Sequence, residues 1–369
     1  MTTTFEPVKQ VKTEADCQVF LKTKTAEYIN NLMTSCAAAV RGCPVQTGDI
    51  ANRHTTPAED VTNDQLASEA AARSAFMTKD TPLYPFLDAV LTKVFPAIRG
   101  WVRDVPLQDL KMQRFGNKAF RDMSEKLTSE AGALIDTHII PTLGLDVCSM
   151  PKWAASREEL KLTVSAELRA YLLDSFGNSS RLDFGSGHEL HFFVFLLVGC
   201  IYLSDGKLVA EHTELPPPMV AGLKDLVLVV FKDYLDLCRM IQGRYSLEPA
   251  GSKGVYGLDD YHHLPYIFGA SQLEGAEKQK EDPILPKHIT DAKKVDAHRG
   301  RYMYFEMIGW INENKKGPFH EHSTILYNIS GIDDWDRITR GMFKMHTGEV
   351  MGKFVVIQHF LFGKTLPYP

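Results

Sequence analysis

The stretch from Asn178 to Leu203, NSSRLDFGSGHELHFFVFLLVGCIYL, constrains this chain more than any other. It opens with a polar turn of Asn178, Ser179, Ser180 and Arg181. A hinge follows, Asp183-Phe184-Gly185-Ser186-Gly187, and then a run from His188 whose later half is apolar on every side. A helix apolar all round belongs inside a protein, because no face of it gains from water. Two glycines two apart permit positive φ and close approach of the backbone to another group. A helix beginning near His188 would aim its unpaired N–H groups and the positive end of its dipole at that hinge, an arrangement that holds anions. The expectation is a chain built round a buried helix with a polar, glycine-lined mouth. A glycine turn that merely redirects the chain has the same spelling, so the motif alone leaves both readings open.

Two tempting motifs fail on their context, and a third is absent. Asp183-Phe184-Gly185 spells the magnesium triplet of protein kinases, but neither a Gly-rich strand loop nor His-Arg-Asp precedes it. No Gly-x-x-x-x-Gly-Lys-Ser/Thr loop occurs. His188-Glu189-Leu190-His191 places its histidines three apart, where a zinc helix needs four, so two solvated or satisfied histidines are expected instead.

With 369 residues, 44% of them hydrophobic and 24% charged, the chain reads as an ordinary globular protein with ample material for a core. A net charge of −5 argues against nucleic acid as the main partner. Met1-Thr2-Thr3-Thr4-Phe5-Glu6 lacks the basic and apolar regions of a secretory signal. The apolar run from Phe192 to Leu203 is expected to be too short and interrupted to span a bilayer, so no membrane partner is expected. Cys17, Cys36, Cys43, Cys148, Cys200 and Cys238 show no metal-type spacing and read as reduced thiols. The expected location is the cytoplasm, with the nucleus as a second one.

Along the chain, apolar periodicity and Pro/Gly punctuation predict helices and almost no strands. A helix is expected over Val8 to Val40, started by a capping box at Thr13-Glu14-Ala15-Asp16. Cys43 to Thr81 reads as a surface insertion with a short Ala-rich helix inside it, Asn63 to Met77. Further helices are expected at Pro82–Val102, kinked by Pro96, and from Arg121 to Ile140. Glu158–Phe176 follows, with Leu160, Leu162, Leu168, Leu172 and Leu173 inward. Pro216-Pro217-Pro218 opens a long helix to Ile241. Gly254 to Gly269, GVYGLDDYHHLPYIFG, is dense in glycine and aromatics and poor in lysine, a composition shared by cores and partner sites. The remaining helices are expected at Gly300–Asn312, Pro318–Asn328 and Asp333–His346, and Val350 to Phe360 closes the chain. The fold class is all-α, one domain over residues 1–369.

Five separated motifs occur in order: Arg114-Phe115-Gly116-Asn117-Lys118-Ala119; Gly177 to Glu189; Gly254-Val255-Tyr256-Gly257-Leu258-Asp259-Asp260 with Leu264-Pro265; Glu321-His322-Ser323; and Phe354 to Gly363. Together they resemble the phosphotyrosyl phosphatase activator family, also called protein phosphatase 2A activators, from Phe86 to the C-terminus. The resemblance implies a helical fold of core, linker and lid subdomains. It implies ATP and Mg²⁺ binding between core and lid, and peptidyl-prolyl cis/trans isomerase activity on a Pro-containing segment. It also implies a complex with the phosphatase catalytic subunit. By position, the nucleotide would be met by Arg114, Lys118, Ala119 and Phe120, by Gly185, Ser186, Gly187 and His188, and by Gln358, His359 and Phe360, with a metal near Asp183 and Gly187. Isomerase work would fall to Asp183, Tyr256, Asp259, Pro265 and Gly269. The phosphatase would be met by Gly254, Val255, Tyr256, Gly257, Tyr261, Tyr266 and Phe268. The chain departs from the family at Tyr256 and Tyr266-Ile267-Phe268, where tryptophans are expected, and at His262-His263, which replaces a less basic pair.

Two functions of different class follow from the resemblance. One is a prolyl isomerase acting on its phosphatase partner. The other is a non-enzymatic, ATP-gated assembly factor that reshapes the phosphatase active site for metal loading. A stand-alone ATPase lacks any Walker-type signature to support it.

Overall fold

The computed structural model describes residues 5–45, 61–109, 115–210, 214–251 and 256–369. Among the described residues regular structure is almost wholly helical, and the four strands are two residues long each. The all-α expectation holds.

The helix Ser186–Leu203 runs through the middle. By length and composition it is apolar enough to cross a bilayer, so the expectation that this run is too short was wrong at the scale of the whole helix. However, 72% of it is buried inside the protein. Its ring of phenylalanines meets neighbours on every side. Phe192 stacks on Tyr234 with centroids 3.8 Å apart, and Phe195 meets Phe86 at 5.8 Å. Phe193 meets Phe268 at 6.1 Å. Gly199 is required at one crossing, because a Cβ there would strike the Phe86 ring.

Proline and capping explain the other elements. The expected helix over 82–102 is Tyr84–Ala89, a π turn Val90–Val94, and Phe95–Asp104. Pro96 cannot donate, and the wider turn just before it absorbs the missing bond. The long helix has the same build, with Pro217–Asp225, a π turn Leu226–Phe231 and Lys232–Tyr245 in series. Arg157–Leu173 forms as expected, but Leu162 is exposed rather than inward and Leu173 is half-buried. The single helix expected from Val8 to Val40 is instead a strand, Val8–Lys9, and two helices, Glu14–Phe20 and Lys24–Ala39. Thr13 makes the capping box with Asp16, and Thr23 makes a second cap by accepting from Ala26 N, which splits the run.

Cys43–Thr81 was expected to lie outside the core. Residues 46–60 are outside the described residues. The part from Thr62 onward does not fit that expectation: Asn63–Ser74 is a docked helix. Arg73 pairs with buried Asp233 at 2.9 Å, Asp225 accepts from Thr78 N at 2.7 Å, and Arg103 donates to Asn63 at 2.8 Å. Asp233 is held from the other side by Arg99, at 2.8 and 2.9 Å.

Four short helices, Leu264–Gln272, Met303–Asn314, Thr324–Ile329 and Trp335–His346, build the far side. Pro318–Asn328 is broken after Phe319–His322, and Val350–Phe360 holds the end of a π turn, Thr347–Met351, and the short helix Phe354–Ile357. Two strand pairs place the site. Val8–Lys9 runs antiparallel to Leu361–Phe362, and Asp183–Phe184 runs parallel to Glu248–Pro249.

Candidate functional site

The parallel pair brings the hinge at Asp183 beside the chain that leaves the long helix. Ala250 N donates to Phe184 O at 2.7 Å. Upstream, the turn is tied by Asn178, whose Oδ1 accepts from Ser180 N at 3.1 Å and Arg181 N at 2.9 Å. Leu182 is forced to a φ of 55°, the left-handed region a non-glycine residue rarely adopts. The glycines serve approach and not positive φ. Gly185 is extended, with φ −167°, and a Cβ there would lie 3.0 Å from Ala250 Cβ. A Cβ on Gly187 would lie 3.3 Å from Val356 Cγ1.

Between these segments opens a cavity of about 710 Å³. Its walls come from Asp174 to His191, from Ala250, Gly251 and Tyr256–His263, and from Gly341 to His359 with Ile325, and Lys9 lies at one edge. The helix Ser186–Leu203 starts inside it with no side-chain cap on its first N–H groups. Lys9, Arg181, Lys344 and Lys353 bring positive charge, and Asp174, Asp183, Asp259, Asp260 and Glu349 bring negative. Asp183 Oδ2 accepts from Arg181 Nε at 2.7 Å, while its buried Oδ1 has no partner among the described residues.

The two histidines of the helix's first turns are not cations. His188 Nδ1 lies 2.8 Å from Asp174 O and His191 Nδ1 lies 2.8 Å from Gly187 O. A carbonyl only accepts, so each Nδ1 carries the proton and each Nε2 keeps its lone pair. Burial lowers both, His188 to about 4, so both are neutral near pH 7.

On the facing wall Asp259 is a node. Its Oδ1 accepts from Tyr261 N and His262 N at 2.8 and 2.9 Å, and its Oδ2 from Tyr266 Oη at 2.7 Å. Burial works to raise its pKa, but the charge of Arg239 and these donors win and hold it below the usual range. Glu189, wholly buried, accepts from His263 N and Leu264 N at 2.8 Å each. Burial pushes its carboxyl up to about 8. His263 is pushed down to about 3 by burial and packs edge-on against His346, 5.1 Å between centroids.

The cavity brings together Asp183, Gly185, Ser186, Gly187, His188 and His359 with Tyr256, Gly257, Asp259 and Tyr261, two sets the sequence had kept apart. Other expected site residues do not reach it. Lys118, Ala119 and Phe120 are not on its walls. Ala119 and Phe120 are core, where Phe120 packs on Tyr245 at 5.4 Å. Gln358 and Phe360 flank His359 but do not line the cavity, and Phe360 is buried against Phe20 and His191. Pro265, Tyr266, Phe268 and Gly269 are buried and do not line the cavity, so the phosphatase-facing surface expected of Tyr266 and Phe268 is corrected. Phe268 packs on Phe231, and a Cβ on Gly269 would strike Tyr304 N. Tyr256, in contrast, is 80% exposed at the rim. Arg114, Gly254 and Val255 lie outside the described residues.

Lys9, Lys344 and Lys353 were missed, because an isolated lysine carries no spacing signal. Glu189 was missed although a signal existed: a lone acid in a wholly apolar helix must find partners. Among the described residues no group of three or more His, Cys, Asp or Glu side chains is arranged to hold a metal.

Residues 7–368 match the family described as phosphotyrosyl phosphate activator (PTPA) protein. The chain is 41% identical over 259 residues to serine/threonine-protein phosphatase 2A activator 1 of Schizosaccharomyces pombe, covering 69% of this chain and 68% of that one. It is 34% identical over 364 residues to serine/threonine-protein phosphatase 2A activator 2 of Candida glabrata, covering 98% and 83%. Among solved structures it resembles the PP2A phosphatase activator Ypa1 PTPA1. The TM-score is 0.71 at 26% identity, over 100% of this chain and 97% of the other.

Proposed function

Because the chain belongs to the PTPA family, we propose that it activates protein phosphatase 2A by binding the phosphatase catalytic subunit at the cavity mouth. The observation that carries this reading is the meeting, in one cavity, of the glycine hinge at Gly185 and the wall that ends in exposed Tyr256. An exposed aromatic beside a concave, partly apolar site is the usual anchor of a protein interface.

ATP and Mg²⁺ fit the hinge side. The first N–H groups of the helix Ser186–Leu203 are free of any side-chain cap where the helix begins at the cavity, and Lys9, Arg181, Lys344 and Lys353 suit phosphate oxygens. Mg²⁺ is commonly held by one or two carboxylates with phosphates and water, and the unpartnered Oδ1 of Asp183 supplies one such oxygen. When bound, the nucleotide would supply a polyanion, which the first N–H groups of this helix and Lys9, Arg181, Lys344 and Lys353 would hold. His188, neutral and presenting a lone pair, would take a ligand N–H, an O–H or a metal-bound water rather than a phosphate oxygen.

Isomerase action asks little acid–base chemistry of the chain. The barrier is the partial double bond of the peptide, about 18–20 kcal/mol, and it falls when water is kept from the carbonyl. Leu258, Tyr261, Ile325, Met345, Val350 and Val356 give the cavity apolar walls able to do this. The second reading, a non-enzymatic assembly factor, gains from the burial of Tyr266 and Phe268, which removes two aromatics from any proline pocket.

The test is activation of the purified phosphatase catalytic subunit, with and without Mg-ATP, beside turnover of a free Pro-containing peptide. Activation with peptide turnover supports the isomerase. Activation with none supports the assembly factor. Absence of activation at any concentration removes the proposal.

A further inference from the structure

Beneath the cavity wall, four buried side chains from three parts of the chain form a single file of hydrogen bonds. Arg239 Nη1 donates to Gln242 Oε1 at 3.1 Å. Gln242 Nε2 lies 3.2 Å from His262 Nε2, and His262 Nδ1 lies 2.9 Å from Glu189 Oε1. A guanidinium only donates, so the direction of the whole file follows from Arg239. Gln242 must turn its carbonyl to Arg239, and its NH₂ then faces His262. His262 must accept at Nε2, which leaves its proton on Nδ1 and makes Glu189 Oε1 the last acceptor. Glu189 Oε2 is already taken by the main-chain N–H groups of His263 and Leu264. A proton on Oε2, which already takes two donors, would displace one of them. The reversed file would set the Gln242 NH₂ against the guanidinium, which is itself seated 3.7 Å over the Trp310 ring.

We infer that Glu189 is a positioning residue of the cavity: as the terminal acceptor of this file it fixes the wall from Asp259 to His263, and Arg239 dictates its polarity. The inference rests on the reading of this cavity as the functional site. Its reach comes from where the bonds land. The N–H groups of His263 and Leu264 are first donors of the helix Leu264–Gln272 and have no partner within it. A carboxylate at that end also meets the positive end of the dipole. Through them Glu189 anchors the residues that line the cavity just upstream, and Asp259 ties the same strip together from the other end. Burial opposes the arrangement by pushing the Glu189 carboxyl up to about 8. Above that value the three donors meet a carboxylate.

The experiment moves the charge along the file. Glu189→Gln makes residue 189 a donor toward His262 and conflicts with Arg239. The double variant Glu189→Gln with Gln242→Glu restores a consistent file of the opposite polarity. In it the carboxylate now at position 242 accepts from both Arg239 and His262 Nε2, and the amide now at position 189 donates to His262 Nδ1. Three readouts are taken on the full chain. They are the His262 tautomer by ring ¹⁵N shifts at a pH above that carboxyl value, amide exchange from Tyr261 to Leu264, and the concentration giving half-maximal phosphatase activation. Expected are an Nδ1–H tautomer in the native protein, faster exchange and about a tenfold or greater rise in that concentration for Glu189→Gln, the loss that goes with an unsatisfied buried donor. The double variant should return to within about threefold of the native protein with an Nε2–H tautomer, since its buried groups are again paired. An Nε2–H tautomer in the native protein, an unaffected single variant, or a double variant as poor as the single one would overturn the inference. Should Glu189→Gln not fold, the native tautomer and the double variant decide. If the native protein does not activate the phosphatase, the proposed function falls, and tautomer and exchange still judge the file.

Discussion

Tyr256 and Phe268 belong to one aromatic stretch of sequence and have opposite fates. Tyr256 stands at the cavity rim in solvent, and Phe268 lies between Phe193 and Phe231. Tyr256→Asp should weaken phosphatase binding by about 2 kcal/mol or more, the size of an interface hot spot, with an unchanged melting curve. Phe268→Ala should cost about 3–5 kcal/mol of stability, read by denaturant unfolding. A normal Phe268→Ala melt would return that residue to the surface. Gly187 gives the corresponding test of the hinge. A nucleotide at about 100 times its dissociation constant should add roughly 2.7 kcal/mol to native stability. Gly187→Asp should abolish that shift, because it puts a carboxylate beside the first N–H groups of the central helix. An undiminished Mg-ATP shift in that variant would move the nucleotide elsewhere.

At the scale of elements, what the sequence made legible was what repeats. Arg157–Leu173, Ser186–Leu203 and the helix over 217–245 each present many apolar residues at helical spacing, so their existence was readable. Strands of two residues have no period, and Asp183–Phe184 and Leu361–Phe362 were invisible for that reason. Polar anchoring was hidden too, because its partners are far apart in sequence. Asn63–Ser74 looked like surface by composition, yet Arg73 reaches Asp233, which Arg99 also grips. The site was half legible. The hinge glycines were found, with one of two physical reasons right, and Asp259 and Tyr256 were found by resemblance. The cations on other elements and the burial of Tyr266 depended on packing that no local pattern records. The Asp233 junction makes its own prediction. Asp233→Ala leaves Arg99 buried without its carboxylate and should cost about 3–5 kcal/mol. It should also speed amide exchange across Asn63–Ser74. An unfolding midpoint equal to that of the native protein would show the helix to be held by other contacts.

For the whole molecule, the C-terminal tail is a strap tied to distant elements. Glu167 Oε1 accepts from Lys364 N and, at 3.0 Å, from Thr365 N. Tyr202 Oη meets Thr365 Oγ1 at 2.8 Å, and Thr25 Oγ1 donates to Pro367 O at 2.8 Å. Glu167 is wholly buried, and burial raises its carboxyl above the ordinary 4.5. A carboxyl raised in the folded state binds its proton more tightly there than in the unfolded chain. Its contribution to stability is therefore full below 4.5 and is lost as pH climbs through the raised value. Glu167→Gln keeps an acceptor for the two amides and cannot ionise. Relative to the native protein it should gain melting temperature as pH rises from about 4.5 toward neutrality, by the same linkage. A constant offset between the two melting curves across that range would show that Glu167 does not titrate there.

The pairing of Val8–Lys9 with Leu361–Phe362 has a consequence for the birth of the molecule. Translation delivers Val8–Lys9 long before Leu361–Phe362. Until Leu361 has left the ribosome, Val8 has no strand to join, and Lys9 is not yet carried to the cavity edge. A nascent or prematurely terminated chain therefore holds the hinge and the central helix but an unfinished mouth. Emergence of Leu361–Phe362 then acts as a licence, and fragments that stop before this strand should be unable to compete for the phosphatase with a chain that carries it.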